Sequence, residues 1–386
     1  MYSEIFIGFF FLLVLSDSNE ATKLTKQTYL AVMFLFLFID KNYFRLSNNI
    51  IGVFLPFVYI SILCVFFSTE FQSSLEKTIS YTLILYVIPT YAINIYEEQK
   101  ELFLYNIIAF VSTLLVLGII MYYVNPAFVT SVGRYKGLLF RNPNGMGVFT
   151  VIFFFFVLFA NDIHPTLFSS KQRYYLYAVG FFTLILASSR NSLTAVAILF
   201  LFKGLYRISY FVGFLMLVFI AVIFPYFLDL LQDLAFSFNL QEYFRLETLE
   251  TASGRYFAWQ FAWENIKLSP WLGNGFGYVD VLFNNNFNYL NKSGHFGNVH
   301  NSYLTFWLEV GLLGLLAFII PLLLLFLRGS KKYGVSMPMF YALLFSINFE
   351  SWLTGSLNPY TTPLLAIIAI LNYSLIEKEE DTVLVH

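Results

Sequence analysis

Residues 302–327 read SYLTFWLEVGLLGLLAFIIPLLLLFL, and this stretch establishes the class of fold. Its only charged residue is Glu309. An α-helix needs about 20 apolar residues to cross about 30 Å of hydrocarbon, so the stretch is long enough to span a membrane. The rest of the chain has the same character, because 59% of its 386 residues are hydrophobic and only 12% are charged. So little polar surface excludes a water-soluble globule and predicts an integral membrane protein.

Similar apolar stretches recur along the whole chain. They cover residues 1–15, 28–39, 50–67, 79–96, 102–124, 145–160, 174–189, 192–202, 208–228, 335–349 and 360–376. They are continuously apolar and lack the alternation of a transmembrane β-strand, which favours helices over a barrel. We therefore predict an all-α, polytopic fold with about 12 transmembrane helices.

One large segment interrupts this pattern. We expect residues 1–228 to hold transmembrane helices 1–9, residues 229–300 to form the large loop, residues 301–376 to hold helices 10–12 and residues 377–386 to form a cytoplasmic tail. Once the large loop is set aside, Lys and Arg are more frequent on the side that carries the tail. This bias predicts that the large loop is extracytoplasmic.

Charge and residue types exclude several functions. The net charge is −1 and no run of Lys and Arg stands out, so no nucleic-acid partner is expected. The outer loops contain no Asp-x-Asp pair and no cluster of Cys and His, so we expect a mechanism without a metal ion and predict no cofactor. Membrane lipids are the partners that the composition implies.

The large loop carries an arginine and two tryptophans in a predicted helix over residues 255–268. Arg255 falls in its first turn, where a cation opposes the helix dipole unless Arg255 and the terminal amides together hold an anion. The alternative is an arginine that reaches lipid headgroups. Trp259 and Trp263 lie one turn apart and can stack on sugar rings, or they can anchor the loop at the membrane interface.

Three further parts of the loop have their own patterns. Residues 229–250 mix apolar and charged positions as an interfacial helix does. The run WLGNGFG over residues 271–277 lacks the preceding strand of a dinucleotide fingerprint, so its glycines indicate a tight turn beside the membrane or a close approach to a ligand. The Asn-rich residues 284–291 are expected to form a mobile tip.

His300 ends the loop immediately before the longest apolar stretch. Ser302, Thr305 and Glu309 follow at helical spacing and put a polar strip on one helix face. An ionisable group inside hydrocarbon favours a functional role for Glu309, and pairing between helices is the alternative. A neutral imidazole can act as a general base, although a histidine at a helix start also serves as a cap. Since His295 precedes His300 by five residues, the base can be either of them.

Short motifs follow one another in a characteristic order. They are Gly-Leu-Leu-Phe-Arg-Asn-Pro-Asn-Gly at 137–145, Ser-Ser-Arg-Asn-Ser at 188–192, Ser-Gly-Arg at 253–255 with Trp-Leu-Gly-Asn-Gly-Phe-Gly at 271–277, and His-Asn-Ser-Tyr-Leu at 300–304 followed by Glu309-Val-Gly311. In this order and spacing the sequence resembles the O-antigen ligase and O-antigen polymerase superfamily of bacterial polytopic membrane glycosyltransferases.

The resemblance implies a C-type glycosyltransferase-like fold in the bacterial cytoplasmic (inner) membrane. It also implies an undecaprenyl-diphosphate-linked glycan as donor, a chain-length regulator protein as partner and no metal. By motif position, His300 is expected to activate the acceptor hydroxyl, and Arg190 and Arg255 to bind the donor diphosphate. Arg134 and Arg141 fall where a further donor or glycan contact is expected.

The resemblance is compatible with more than one reaction. We favour polymerisation of lipid-linked repeat units into O-antigen, capsule or exopolysaccharide over ligation to a lipid A core. The reason is charge, because residues 229–300 hold four basic and seven acidic residues, a net charge of −3 that suits a phosphate-rich acceptor poorly. Two further functions compete with these, a lipid-linked glycan flippase and a purely structural membrane protein. A flippase is expected to line a path inside the spans with charge, whereas these arginines gather at one side.

Overall fold

The computed structural model describes residues 2–17, 22–39, 48–205, 208–237, 252–292 and 297–383. Its elements are α1 Tyr2–Ser16, α2 Lys23–Ile39, α3 Asn48–Phe67, α4 Phe71–Gln99, α5 Glu101–Val124, α6 Pro126–Val129, β1 Thr130–Ser131, β2 Arg134–Tyr135, α7 Pro143–Ile163, α8 Ser170–Ala187, α9 Arg190–Gly204, α10 Tyr210–Ser237, α11 Ala252–Ile266, α12 Tyr278–Asn285, α13 Phe287–Lys292, α14 Ser302–Ser330, α15 Ser336–Phe349, a 3-10 helix Trp352–Thr354 and α16 Thr361–Val383.

Long apolar helices dominate the described residues, and the strands there form a single antiparallel hairpin, β1–β2. Among the residues that the structure describes, five helices are long and apolar enough to cross a membrane, namely α3, α4, α5, α7 and α14. Shorter apolar helices lie within α1, α2, α10, α15 and α16. The prediction of an all-α integral membrane protein is confirmed, whereas the count of about 12 spans stays a prediction.

Helix α7 is buried along most of its length. All its side chains from Met146 to Ala160 are buried, and Phe154 packs on the rings of Phe181 in α8 and Phe200 in α9. The helix begins where Pro143 fixes the first turn and the Asn142 side chain accepts a hydrogen bond from the Gly145 amide at 2.7 Å. This cap places Asn144 at one end of the bundle.

Contacts between helix ends fall into two groups. At the end that includes Asn144, the starts of α7 and α14 meet the end of α15. At the opposite end, His164 lies 2.9 Å from the Tyr96 hydroxyl, and the Val335 amide donates to Asp162 at 3.0 Å. Helices α4, α7 and α14 run from the first group to the second, and α15 runs in the opposite direction.

The predicted outer loop contains helices with a small core of their own. Ala258 and Ala262 of α11 pack with Leu282 and Phe283 of α12, with Leu290 of α13 and with Leu308 of α14. Most of residues 284–291 are helical, in α12 and α13, and Leu290 packs in this core, whereas the mobility of this segment stays a prediction. Helix α10 continues to Ser237, past the predicted end of that span at residue 228. Most of the predicted interfacial helix 229–250 lies outside the described residues.

Candidate functional site

Glu350, the residue after α15, joins three side chains from distant parts of the chain. Its Oε2 atom lies 3.3 Å from Nδ1 of His300. Its Oε1 atom accepts hydrogen bonds from Arg255 Nη2 at 3.2 Å and from Asn144 Nδ2 at 3.0 Å. Only 13% of the Glu350 side chain is exposed, so these contacts occur in a setting of reduced dielectric. The fold therefore gathers His300, Arg255 and Asn144 around one carboxylate.

The charge of Glu350 is set by these neighbours. Burial by itself raises the pKa of this carboxyl, but the hydrogen bond and charge of His300, the charge of Arg255 and the Asn144 amide together hold the pKa below its ordinary value of 4.5. Glu350 is thus a carboxylate at neutral pH. A carboxylate beside Nδ1 favours the tautomer with the proton on Nδ1, which puts the basic lone pair on Nε2.

His300 is held in an uncommon backbone conformation. Its φ of 50° lies in the left-handed region, which costs a residue with a side chain roughly 1–2 kcal/mol. The following residues hold it there. The Asn301 amide donates to Ser351 Oγ at 3.0 Å, and Ser302 Oγ donates to the Glu350 carbonyl at 2.8 Å. Strain that the surroundings maintain is common at functional sites.

Arg134 lies next to the residues around Glu350, and its guanidinium donates hydrogen bonds to backbone carbonyls and to the Asn144 side chain. Its Nε and Nη2 atoms donate to the Ala187 carbonyl at 3.1 and 2.9 Å, and Nη2 also donates to the Ser188 carbonyl at 3.0 Å. A further bond from Nη2 reaches Asn144 Oδ1 at 3.1 Å. Arg134 therefore holds the C-terminal end of α8 against the start of α7, a geometry that favours a supporting role over the predicted donor contact.

Arg190 is the first residue of α9 and lies just beyond the carbonyls that Arg134 holds. Ser188, two residues earlier, has left-handed φ and ψ of 49° and 40°, which turns the chain sharply between α8 and α9. The next residue, Asn191, donates to the Ser346 carbonyl of α15 at 3.2 Å. The start of α9 is thus fixed to α15 one turn before Glu350.

Arg141 belongs to a second charged group at the same end of the bundle. Its amide donates to Asp17 Oδ2 at 3.0 Å, and the Tyr360 hydroxyl lies 3.5 Å from Asp17 Oδ1. Burial raises the pKa of Asp17, and the hydrogen bond and charge of Arg141 oppose that rise. Lys26 donates to the Leu357 carbonyl at 2.9 Å beside this group. Asp17 was not singled out from the sequence.

Glu309 differs from its predicted role. The residue is fully buried in α14, and Lys77 Nζ lies 2.9 and 2.8 Å from its two carboxylate oxygens. The Gly277 amide donates to Oε1 at 2.9 Å. Because the carboxylate is fully buried and already accepts these three hydrogen bonds, the expected glycan contact by Glu309 does not agree with the structure.

The two tryptophans of α11 have different environments. Trp259 donates from Nε1 to the Val299 carbonyl at 2.9 Å and packs on Phe349, so it contacts the residues that precede His300 and Glu350. Trp263 is 41% exposed and packs edge-on against Trp307, with ring centroids 5.3 Å apart. Of the two, Trp263 has the more accessible ring surface for a sugar.

Sequence reasoning identified some of these residues and missed others. His300, Arg255, Arg134, Arg190 and Arg141 all lie at one end of the bundle, whereas His295 lies outside the described residues. Asn144 and Glu350 were missed. Asn144 lies within the quoted motif at 137–145, and Glu350 directly follows an apolar stretch, so an acidic residue at the end of a span was the available signal.

Comparison with known proteins supports membership of one family. A family model described as O-antigen ligase matches residues 174–319, a range that includes Arg190, Arg255 and His300. No curated protein matches the chain. The match indicates a glycosyltransferase-like ligase or polymerase activity in polysaccharide assembly. With its apolar helices and this domain, the chain is an integral membrane protein, and the match over residues 174–319 supports its membership of the O-antigen ligase and polymerase superfamily.

Proposed function

We propose that the protein polymerises undecaprenyl-diphosphate-linked oligosaccharide repeat units into a surface polysaccharide at the outer face of the cytoplasmic membrane. The observation that carries this proposal is the carboxylate of Glu350, which contacts both His300 and Arg255. A proton acceptor and a phosphate-binding cation on one carboxylate suit a reaction in which a hydroxyl is deprotonated while a diphosphate leaves.

The reaction follows from the roles of these groups. The acceptor hydroxyl gives its proton to Nε2 of His300 as its oxygen attacks the anomeric carbon of the donor. The bond between that carbon and the diphosphate oxygen breaks, and its electron pair leaves with undecaprenyl diphosphate. Glu350 keeps the imidazole oriented and stabilises the imidazolium that forms.

The arginines serve the leaving group. A guanidinium has five N–H donors and stays charged, so Arg255 can keep its bond to Glu350 and still present donors to phosphate oxygens. Its side chain is 32% exposed, which leaves surface for a ligand. Arg190, at the start of α9, is proposed as the second diphosphate-binding residue. Two arginines supply the positive charge that a metal ion supplies in other glycosyl transfers, so we expect transfer to persist in EDTA.

The net charge of −3 over residues 229–300 favours polymerisation, since a lipid A core carries phosphates that such a surface repels. The second candidate is an O-antigen ligase that transfers the lipid-linked glycan to a lipid A core or another acceptor. The description of the matching family favours that candidate. A chain-length regulator protein is a proposed partner of the polymerase, and a flippase is the less favoured alternative.

One experiment separates these candidates. The purified protein in lipid nanodiscs is given the lipid-linked repeat unit, first alone and then with lipid A core, and products are resolved by size. A ladder from the repeat unit alone supports polymerisation. Transfer that occurs only when the core is present contradicts it and supports ligation.

A further inference from the structure

Helix α14 is broken at Gly311, whose φ and ψ of 70° and 179° are not helical. The segment Pro270–Gly277, defined here as the insert, lies against this break. The Leu312 and Leu313 amides donate to the Pro270 and Trp271 carbonyls at 2.9 and 3.2 Å. On the other side of the break, the insert's Gly275 amide donates to the Glu309 carbonyl at 2.7 Å. Backbone groups that the break releases inside the bundle are thus paired by the insert.

The glycines of the insert make this close approach possible. A Cβ atom added at Gly273 would lie 2.6 Å from the carbonyl group of Glu309, and one added at Gly311 would collide with the Trp271 carbonyl. Both residues also have positive φ, of 66° and 70°. The sequence predicted a tight turn or a close approach to a ligand at the glycines of the insert, whereas the structure shows a close approach to α14 of the same chain.

A buried ion pair fastens the insert to a third element. The Glu309 carboxylate of α14 is paired with Lys77 of α4 and accepts from the Gly277 amide at the end of the insert. Lys77 Nζ also lies 5.2 Å from the centre of the Phe276 ring. This single carboxylate therefore holds α4, α14 and the insert together.

The insert also links the two elements that carry proposed site residues. Helix α11, which carries Arg255, ends at Ile266 shortly before the insert. The first half of α14, which the insert contacts, begins at Ser302, two residues after His300. Any shift of the insert relative to α14 changes the separation of Arg255 and His300, and a misplacement of about 1 Å can cost about 10²-fold in rate.

We infer that Lys77 and Glu309 are positioning residues for glycan transfer, because their ion pair keeps the insert in the α14 break and so keeps Arg255 and His300 on the same Glu350 carboxylate. The activity part of this inference rests on the proposed function. The structural part, that the ion pair keeps the insert in the α14 break, does not depend on the proposed function. One residue of the protein can report on it directly.

That reporter is Cys64, the only cysteine of the chain. Its Sγ atom donates to the Leu272 carbonyl of the insert at 2.9 Å, and the side chain is buried. Displacement of the insert uncovers this thiol. The rate at which a membrane-permeant maleimide labels Cys64 therefore measures how often the insert leaves the break.

The test uses Lys77→Met, Glu309→Gln and the double variant in nanodiscs. We expect Cys64 to be labelled at least about tenfold faster, and kcat per donor-binding site to fall by about 10²-fold. Normalising to donor-binding sites matters, because a loss of folded protein lowers the number of sites and leaves the kcat of each site unchanged. The double variant should lose no more than the worse single variant, since both changes remove one interaction. Lys267→Met removes the exposed pair with Glu264 in the same loop and should leave both readouts unchanged.

Three results would overturn the inference. They are wild-type labelling in all three variants, faster labelling with unchanged kcat per site, and a loss of kcat with Cys64 still protected. If a single variant does not fold, the neutral double variant, which leaves no unpaired buried charge, provides the measurement. If the wild-type protein transfers no glycan, the proposed function fails and the positioning role with it, while the labelling rates still decide whether the ion pair holds the insert.

Discussion

Nδ1 of His300 lies 3.3 Å from Oε2 of Glu350, although the two residues are 50 positions apart in the chain. The other oxygen of the same carboxylate accepts a hydrogen bond from Arg255 at 3.2 Å. The proposed proton acceptor and a proposed diphosphate-binding residue therefore share one partner. A change at Glu350 should disturb both.

Replacing Glu350 with Gln removes the charge and keeps the shape of the side chain. We expect kcat for glycan transfer to fall by about 10² to 10⁴, because the imidazolium loses its stabilising carboxylate. Release of undecaprenyl diphosphate from a lipid-linked donor measures this rate. Glu76→Gln, an exposed carboxylate on α4, is the control and should retain activity. Wild-type kcat in Glu350→Gln would remove this residue from the mechanism.

Replacing Arg255 or Arg190 with Lys should be poorly tolerated, because a point charge does not reproduce the planar fork that grips a diphosphate. Donor affinity and turnover should both fall, which titration with the lipid-linked donor and initial rates measure separately. Arg328→Lys, at the opposite end of α14, is the control. Normal affinity in both Lys variants would favour contacts with lipid headgroups instead.

The pH dependence of the protein's stability should change when Arg255 is replaced. Because the pKa of Glu350 is lowered in the folded protein, its ionised form stabilises the fold above about pH 4.5, and this contribution is lost as the pH falls through the folded-state pKa. Arg255→Gln removes one of the charges that lower this pKa, so the loss of stability on acidification should begin at higher pH, as measured by thermal unfolding of the purified protein over a pH series. An unchanged pH dependence of stability would show that Arg255 does not control the charge of Glu350.

Thiol labelling tests the predicted orientation of the protein in the membrane. In a Cys64→Ala background, single cysteines at Arg141, Asn285 and Asn298 should react with an impermeant reagent added to intact cells. A cysteine at Lys332, at the opposite end of α14, should react only after lysis. The reverse pattern would place His300 and Arg255 in the cytoplasm, where the proposed reaction does not occur.

Local sequence predicted the helices where their residues are apolar throughout. The prediction for α5 began at residue 102 and the helix begins at Glu101. The prediction for α4 began at residue 79 although the helix begins at Phe71, because Glu76 and Lys77 interrupt the apolar run. Lys77 is tolerated there because it pairs with Glu309 on another helix. The hydropathy of one segment does not reveal a partner that lies on another.

The candidate site also contains residues that local sequence reveals and residues that only tertiary packing brings there. His300 and Arg255 were identified because each lies in a local motif or in a costly position at a helix start. Glu350 lies in no recognised motif, and it reaches the site only because α15 packs on α14 and ends level with His300. Contacts between residues so far apart in the chain depend on tertiary packing, so a single sequence does not reveal them.

The proposed mechanism depends above all on His300 accepting the proton of the acceptor hydroxyl. The deciding measurement is the rate of glycan transfer from a lipid-linked repeat unit by purified His300→Ala, beside His295→Ala and His164→Ala, with donor binding measured in parallel. We expect a fall of about 10² to 10⁴ for His300→Ala with donor binding retained, and nearly wild-type rates for His295→Ala and His164→Ala. A wild-type rate in His300→Ala, or the same large loss in His295→Ala alone, would contradict this role.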